Sequence, residues 1–134
     1  MYLVDTSVWI DFLNGKSTPA VKLLHQLLAN EVGVGLTSLI YQEILQGTDS
    51  DARLKRFSDY FSTQTFYHPI HPVDSYLKAA KIYFNCRRSS ITIRSTIDCV
   101  IAQIALEHDL YLLHCYRDFR LMGTVIPELK VVER

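Results

Sequence analysis

Four acidic residues fall where a globular chain has little ordinary reason to put them. Asp5 follows directly on the apolar run Tyr2-Leu3-Val4. Glu43, turned at about 100° per residue along the segment after Thr37-Ser38, projects between Leu39 and Ile40, on a face expected to be buried. Asp98 points among Ile101, Ala102 and Ala105, while the clearly polar direction of that segment belongs to Gln103. Asp118 follows the apolar run Leu110 to Leu113. An unpaired buried carboxylate costs several kcal/mol, and three or four gathered together raise one another's pKa unless something positive sits among them. A hard divalent cation such as Mg²⁺ meets that need. It takes carboxylate oxygens and keeps part of its water shell, which leaves positions for a substrate phosphate and an attacking water. The chemistry this points to is metal-assisted phosphodiester hydrolysis.

Each acid also has a plainer reading. Asp5 could be a helix cap, Glu43 could sit half exposed at the edge of its stripe, Asp98 could complement a helix dipole, and Asp118 could be a cap or surface acid. The combination says more, because these acids map to one edge of a single inferred sheet. A second feature is basic. No acid lies between Asp74 and Asp98, whereas Lys78, Lys81, Arg87, Arg88 and Arg94 all do. On a helix from Asp74 to Arg88, the residues Lys78, Lys81, Asn85 and Arg88 share a sector of roughly 80°. Such a stripe can track nucleic-acid phosphates or be an ordinary solvated face.

The elements that must hold these residues follow from periodicity and punctuation. Tyr2 to Val4 reads as a strand, and Thr6 caps a helix running to Asn14-Gly15. Thr18-Pro19 opens a second helix, Val32 to Leu36 is a strand, and Thr37 or Ser38 caps a helix that Gly47 closes. Asp49 to Ser62 reads as a helix, Thr65 to Tyr67 as a short strand, and Asp74 to Arg88 as a long amphipathic helix. Ser95-Thr96 caps a helix over Ile97 to His108; Leu110 to Leu113 is a buried strand, Asp118 to Met122 a short helix, and Lys130 to Val132 a last strand. This alternation predicts an α/β domain with a mostly parallel sheet covered on both faces. In such sheets chemistry gathers beyond the carboxyl ends of the strands, where Asp5 falls.

Composition narrows the classes. At 134 residues the chain suits one domain, residues 1–134, and 49% apolar with 21% charged residues excludes a disordered or fibrous chain. The longest stretch without Asp, Glu, Lys or Arg is 14 residues, Tyr60 to Val73, against the roughly 20 apolar residues a membrane helix needs. With no signal-like N-terminus, a cytoplasmic location without membrane association is expected. Cys86, Cys99 and Cys115 lack disulfide or zinc spacing and read as small buried hydrophobes. His114 is expected at a strand end without a metal role, and Trp9, Phe12 and Leu13 as core or dimer surface.

The motifs resemble a known family. Leu3-Val4-Asp5-Thr6-Ser7-Val8-Trp9-Ile10-Asp11 is similar to the N-terminal motif of PIN-domain ribonucleases, in particular the VapC toxins of toxin–antitoxin pairs. Thr37-Ser38 through Gln42-Glu43-Ile44-Leu45-Gln46-Gly47 resembles the second motif, Ile97-Asp98-Cys99-Val100-Ile101-Ala102 the third, and His114-Cys115-Tyr116-Arg117-Asp118-Phe119 the fourth. The resemblance implies a three-layer α/β/α PIN-like domain in which Asp5, Glu43 and Asp98 bind Mg²⁺ or Mn²⁺ and direct cleavage of structured RNA, with transfer RNA the expected target. It implies that Thr6 supports the metal shell, that the chain pairs as a homodimer, and that a VapB-like antitoxin blocks the site. Operator DNA would be bound only through that antitoxin. Many relatives carry an acid where this chain has Tyr116, so the fourth ligand would be Asp118, a water, or absent, with Asp118 the candidate fourth catalytic acid, and one or two ions are both open. Lys78, Lys81, Arg87, Arg88 and Arg94 are the candidate RNA-binding residues. A non-catalytic module that binds nucleic acid or a partner is the alternative. A haloacid-dehalogenase-like phosphatase is excluded locally, since Ser7 stands where that motif needs a second Asp.

Overall fold

The computed structural model describes residues 1–134. It contains β1 (Tyr2–Val4), α1 (Thr6–Leu13), α2 (Pro19–Ala29), β2 (Val34–Leu36), α3 (Ser38–Gln46), α4 (Asp51–Phe61), β3 (Thr65–Phe66), α5 (Asp74–Arg88), α6 (Thr96–Glu107), β4 (Tyr111–His114), α7 (Arg117–Val125) and β5 (Lys130–Glu133). The strands form one sheet in the order β3-β2-β1-β4-β5, and every pair is parallel. From β1 the chain steps outward to β2 and β3, then returns past β1 to β4 and β5. Right-handed crossovers in opposite directions put their helices on opposite faces. Thus α1 to α4 pack with one another on one side and α5 to α7 on the other, giving three layers.

Local chemistry sets the helix starts. Oγ1 of Thr18 accepts from Val21 N, with Pro19 in the first turn; Oγ1 of Thr37 accepts from Ile40 N, and Oγ of Ser95 from Ile97 N. Ser50 does the same for Arg53 N, which is why α4 begins at Asp51 rather than Asp49. Thr6 is not a cap but the first residue of α1, and Asp5 holds the cap position.

The core is one cluster spanning both sides of the sheet, with Leu3, Leu36, Leu112 and Leu113 at its centre. Trp9 is fully buried, edge-on to Phe61 at 5.1 Å and to Phe12 at 5.8 Å, so it is core and not dimer surface. At β2, a Cβ on Gly35 would lie 2.6 Å from both the Thr65 carbonyl oxygen and the Tyr67 ring, so only glycine lets β3 approach this closely. Cys86 and Cys99 are buried as expected, but Cys115 is exposed, because the chain leaves β4 at His114 and turns outward before α7.

Candidate active site

The sheet order reverses at β1, so the crevice between the ends of β1 and β4 is the place where an open α/β sheet leaves room for a ligand. Four elements deliver acids to that edge. Asp5 ends β1, Glu43 rides on α3 after β2, Asp98 lies in the first turn of α6, and Asp118 in the first turn of α7 after β4. Glu43, Asp98 and Asp118 line one cavity of 360 Å³ together with Arg94, Ser95 and Tyr116.

Asp5 is 2% exposed. Although it occupies the N-cap of α1, its carboxylate makes no capping hydrogen bond; Ser7 Oγ donates to its Oδ2 at 3.2 Å. Burial pushes its pKa up from 3.8 to about 6, with the Glu43 charge adding to the rise and the nearby Thr6 and Ser7 groups offsetting part of it. Asp98 goes further, to about 7, first through burial and then through the charges of Asp5, Glu43 and Asp118, against which Arg94 acts. These couplings tie the acids of all four elements into one electrostatic unit. Thr6 joins two of the motifs directly, donating its Oγ1 hydrogen to Glu43 Oε1 at 2.7 Å.

Asp118 is buried but already engaged. Its Oδ2 accepts from the Arg94 backbone N–H at 3.0 Å and meets Arg94 Nε at 3.5 Å, while its Oδ1 accepts from Arg117 at 3.2 Å. It thus straps the loop before α6 to the start of α7. Sequence reasoning missed this pairing, which links residues 24 positions apart with no periodic signal.

The cations divide. Arg94 lines the cavity with a side chain 70% exposed. Arg87 and Arg88 end α5, beside the loop that leads to Arg94, and lie over Tyr83 and Phe84 of their own helix. The structure does not bring Lys78 to the cavity. Ser75, one turn away, bonds Glu107 at the far end of α6 from Asp98, and Lys78 itself pairs with Asp74 at 3.4 Å. Lys81 is exposed along the middle of α5, also away from the cavity lining.

One further expectation changes. Gln103 does not mark a solvent-facing direction of α6; it is buried and donates to Glu107 at 2.9 Å, because α6 is covered nearly all round. Glu107 also accepts from Ile70 N and Ser75 Oγ, so the pair closes the bottom of the α5–α6 layer. His114 ends β4, at a strand end as expected, with its ring turned fully into the core, where Nδ1 accepts from Tyr116 N at 3.2 Å. Cys115 Sγ lies 3.1 Å from Ser7 Oγ at the rim.

The donor set is oxygen-rich, crowded with negative charge and poor in compensating cations, which suits a hard divalent ion. No three acidic, histidine or cysteine side chains are yet gathered into a ready-made coordination sphere. The fit is therefore one of charge and donor type, with the carboxylates close enough to feel one another.

Residues 2–124 match the family model of the PIN domain. The chain belongs to the PIN domain family. A VapC ribonuclease of Mycobacterium bovis and ribonuclease VapC11 of Mycobacterium tuberculosis are each 28% identical over 129 residues, covering 93% of both chains. Among solved structures, VapBC2 from Rickettsia felis, bound to a DNA fragment from its promoter, shares the fold with TM-score 0.76 and 16% identity over 99% of this chain and 98% of its own. FitAcB from Neisseria gonorrhoeae does so with TM-score 0.69 and 18% identity over 99% and 97%. The PIN fold explains why the four acidic motifs, far apart in sequence, meet at one sheet edge.

Proposed function

We propose that this PIN domain is a metal-dependent endoribonuclease, the toxin of a toxin–antitoxin pair of the VapBC kind, cutting phosphodiester bonds in structured RNA. The observation that carries the reading is the set of mutually repelling carboxylates at the β1–β4 crevice, with Asp98 raised to about 7 and Asp5 to about 6. The names of its relatives agree: those similar in sequence are VapC ribonucleases, and a structural neighbour is a VapBC assembly.

In this reading Asp5, Asp98 and Glu43 hold Mg²⁺ or Mn²⁺. The bound ion would polarise the phosphoryl group and lower the pKa of a bound water. Its charge would return Asp5 and Asp98 to their ionised forms, since a nearby cation lowers a carboxyl pKa. Thr6 fixes the rotamer of Glu43, leaving its other oxygen for the ion or for the nucleophilic water. Arg94 holds a substrate phosphate against the same cavity, with Arg87 and Arg88 extending the track; Asp118 contributes by anchoring Arg94.

Transfer RNA is the expected target, and a VapB-like antitoxin the expected inhibitor, with operator DNA bound through it. Tyr76, Leu77 and Phe84 form an exposed apolar face on α5, beside an apolar cavity lined also by Leu39, Ile97 and Val100, and supply a surface for a homodimer. No helix is long and apolar enough to cross a membrane, in keeping with a cytoplasmic toxin. The non-catalytic alternative draws on Tyr116 and on the engagement of Asp118 by two arginines. Incubation of antitoxin-free protein with total tRNA under Mg²⁺, Mn²⁺ or EDTA separates the two: discrete fragments in metal alone support the nuclease, and RNA binding without cleavage under either ion supports the module.

A further inference from the structure

We infer that Tyr116 is the residue that positions the substrate base, its ring stacking on an unpaired nucleobase beside the phosphodiester that the carboxylates address. This rests on the ribonuclease reading of the same site. Tyr116 is the single apolar wall of a 360 Å³ cavity whose other walls are Glu43, Arg94, Ser95, Asp98 and Asp118. It is 45% exposed, so the residue is partly open to water amid charged groups. Its backbone is held in place: it sits at the N-cap of α7, separated from the end of β4 by Cys115 alone, and its N–H donates to Nδ1 of the fully buried His114 at 3.2 Å.

With the carboxylates neutralised by the divalent ion that the proposed function requires, a flat ring beside Arg94 suits a ligand that is itself flat on one side and anionic on the other. A nucleotide has both parts, and every base offers a π-face. Arg94, on the same cavity and mostly exposed, is suited to the phosphate. Only an unpaired or splayed base can offer its face to the ring, so the site takes single-stranded or looped segments and rejects the interior of a duplex. Because stacking is indifferent to base identity, Tyr116 fixes the position of the cut relative to a base and leaves sequence choice to other contacts.

The experiment uses Asp5→Asn protein, which should bind without cutting, and short single-stranded RNAs carrying 2-aminopurine at successive positions. The expected result is quenching at one position, kept in Tyr116→Phe, lost in Tyr116→Ala and Tyr116→Leu, with affinity weakened about tenfold in the last two. In chains that retain Asp5, the same two substitutions raise KM about tenfold and change kcat less than about twofold, as removal of equal ground-state and transition-state binding requires. Loss of quenching in Tyr116→Phe would transfer the role to the hydroxyl and overturn the stack. Equal behaviour of Tyr116→Leu and Tyr116→Phe reduces the ring to a generic apolar contact, and unchanged binding by Tyr116→Ala removes it from the site; either overturns the inference. Cleavage by the parent with no quenching at any position sinks this inference alone. Ring-dependent quenching without any cleavage by protein that retains Asp5 keeps the base stack but sinks the nuclease reading, and with it the placing of that stack beside a cut.

Discussion

Replacing Asp98 by Asn should make the metal-free protein more stable at alkaline pH. Asp5 and Asp98 carry pKa values raised from 3.8 to about 6 and about 7. The folded chain therefore binds their protons more tightly than the unfolded chain, and stability falls as pH rises from about 4 to about 7. Glu107 has the opposite sign: its pKa is lowered, despite burial, by the hydrogen bonds of Ile70, Gln103 and Ser75 and by the His71 charge, so its contribution is lost on acidification. Burial lowers the pKa of His114, so its contribution too is lost on acidification, within the lower part of the window from about pH 5.5 to about pH 8; the difference between wild type and Asp98→Asn across that window isolates the site acid. The shift of Asp5 by about two units corresponds to roughly 3 kcal/mol at most. Asp98 shifts further but is only partly buried and shares its repulsion with Asp5, so water screening reduces its share to about 1–2 kcal/mol. For a domain of this size that is a gain of about 3–8 °C in Tm for Asp98→Asn at pH 8. Thermal melting in EDTA at stepped pH reads it directly. Mg²⁺ or Mn²⁺ should raise the wild-type Tm more at pH 8 than at pH 5.5, and raise the variant's little. An Asp98→Asn protein no more stable than wild type at pH 8, or a difference between the two that does not grow from about pH 5.5 to about pH 8, would refute the reasoning.

Other expectations follow from single contacts. Asp118→Ala frees the Arg94 amide and its loop, costing about 1–3 kcal/mol in melts, and lowers cleavage less than Asp98→Ala; equal losses of activity would mean that Asp118 belongs fully to the reacting centre. Thr6→Val removes the 2.7 Å bond to Glu43 and should slow cleavage about tenfold or more without unfolding α1; an unchanged rate would show that Glu43 needs no partner. Glu107→Ala strips the acceptor from Ile70 N, Ser75 and Gln103, and should destabilise by about 2–3 kcal/mol while leaving the metal response intact. A shift in metal response equal to that of a site variant would contradict its purely structural place.

What the sequence disclosed and what it hid divide along a physical line. Elements were legible wherever a local signal exists: the Thr37 cap, Pro19, the Gly47 stop and the apolar runs ending at Asp5 and His114 all act within a few residues. The acids were legible because a charged residue on an apolar face is a local anomaly. Partnerships across the fold were not. Nothing near Thr6 points to Glu43, nothing near Asp118 points to Arg94, and Gln103 reads as polar surface because its partner Glu107 is also polar. The stripe from Lys78 to Arg88 is real on the helix, but α5 is about 22 Å long, so only its last turn reaches the end of the layer that leads to Arg94. Cys115 was read as buried by residue type, whereas exit from the sheet decides its exposure.

The most direct test of the carboxylate centre is cleavage of total tRNA in Mn²⁺ by wild-type protein beside Asp5→Asn, both free of antitoxin and both shown folded by circular dichroism. Asp5 is buried, makes no side-chain capping hydrogen bond and lacks a salt bridge, so the amide should preserve or improve folding while abolishing cleavage. Discrete fragments from the wild type and none from the variant are predicted. Fragments of the same size and rate from a well-folded Asp5→Asn protein would contradict the assignment of the site.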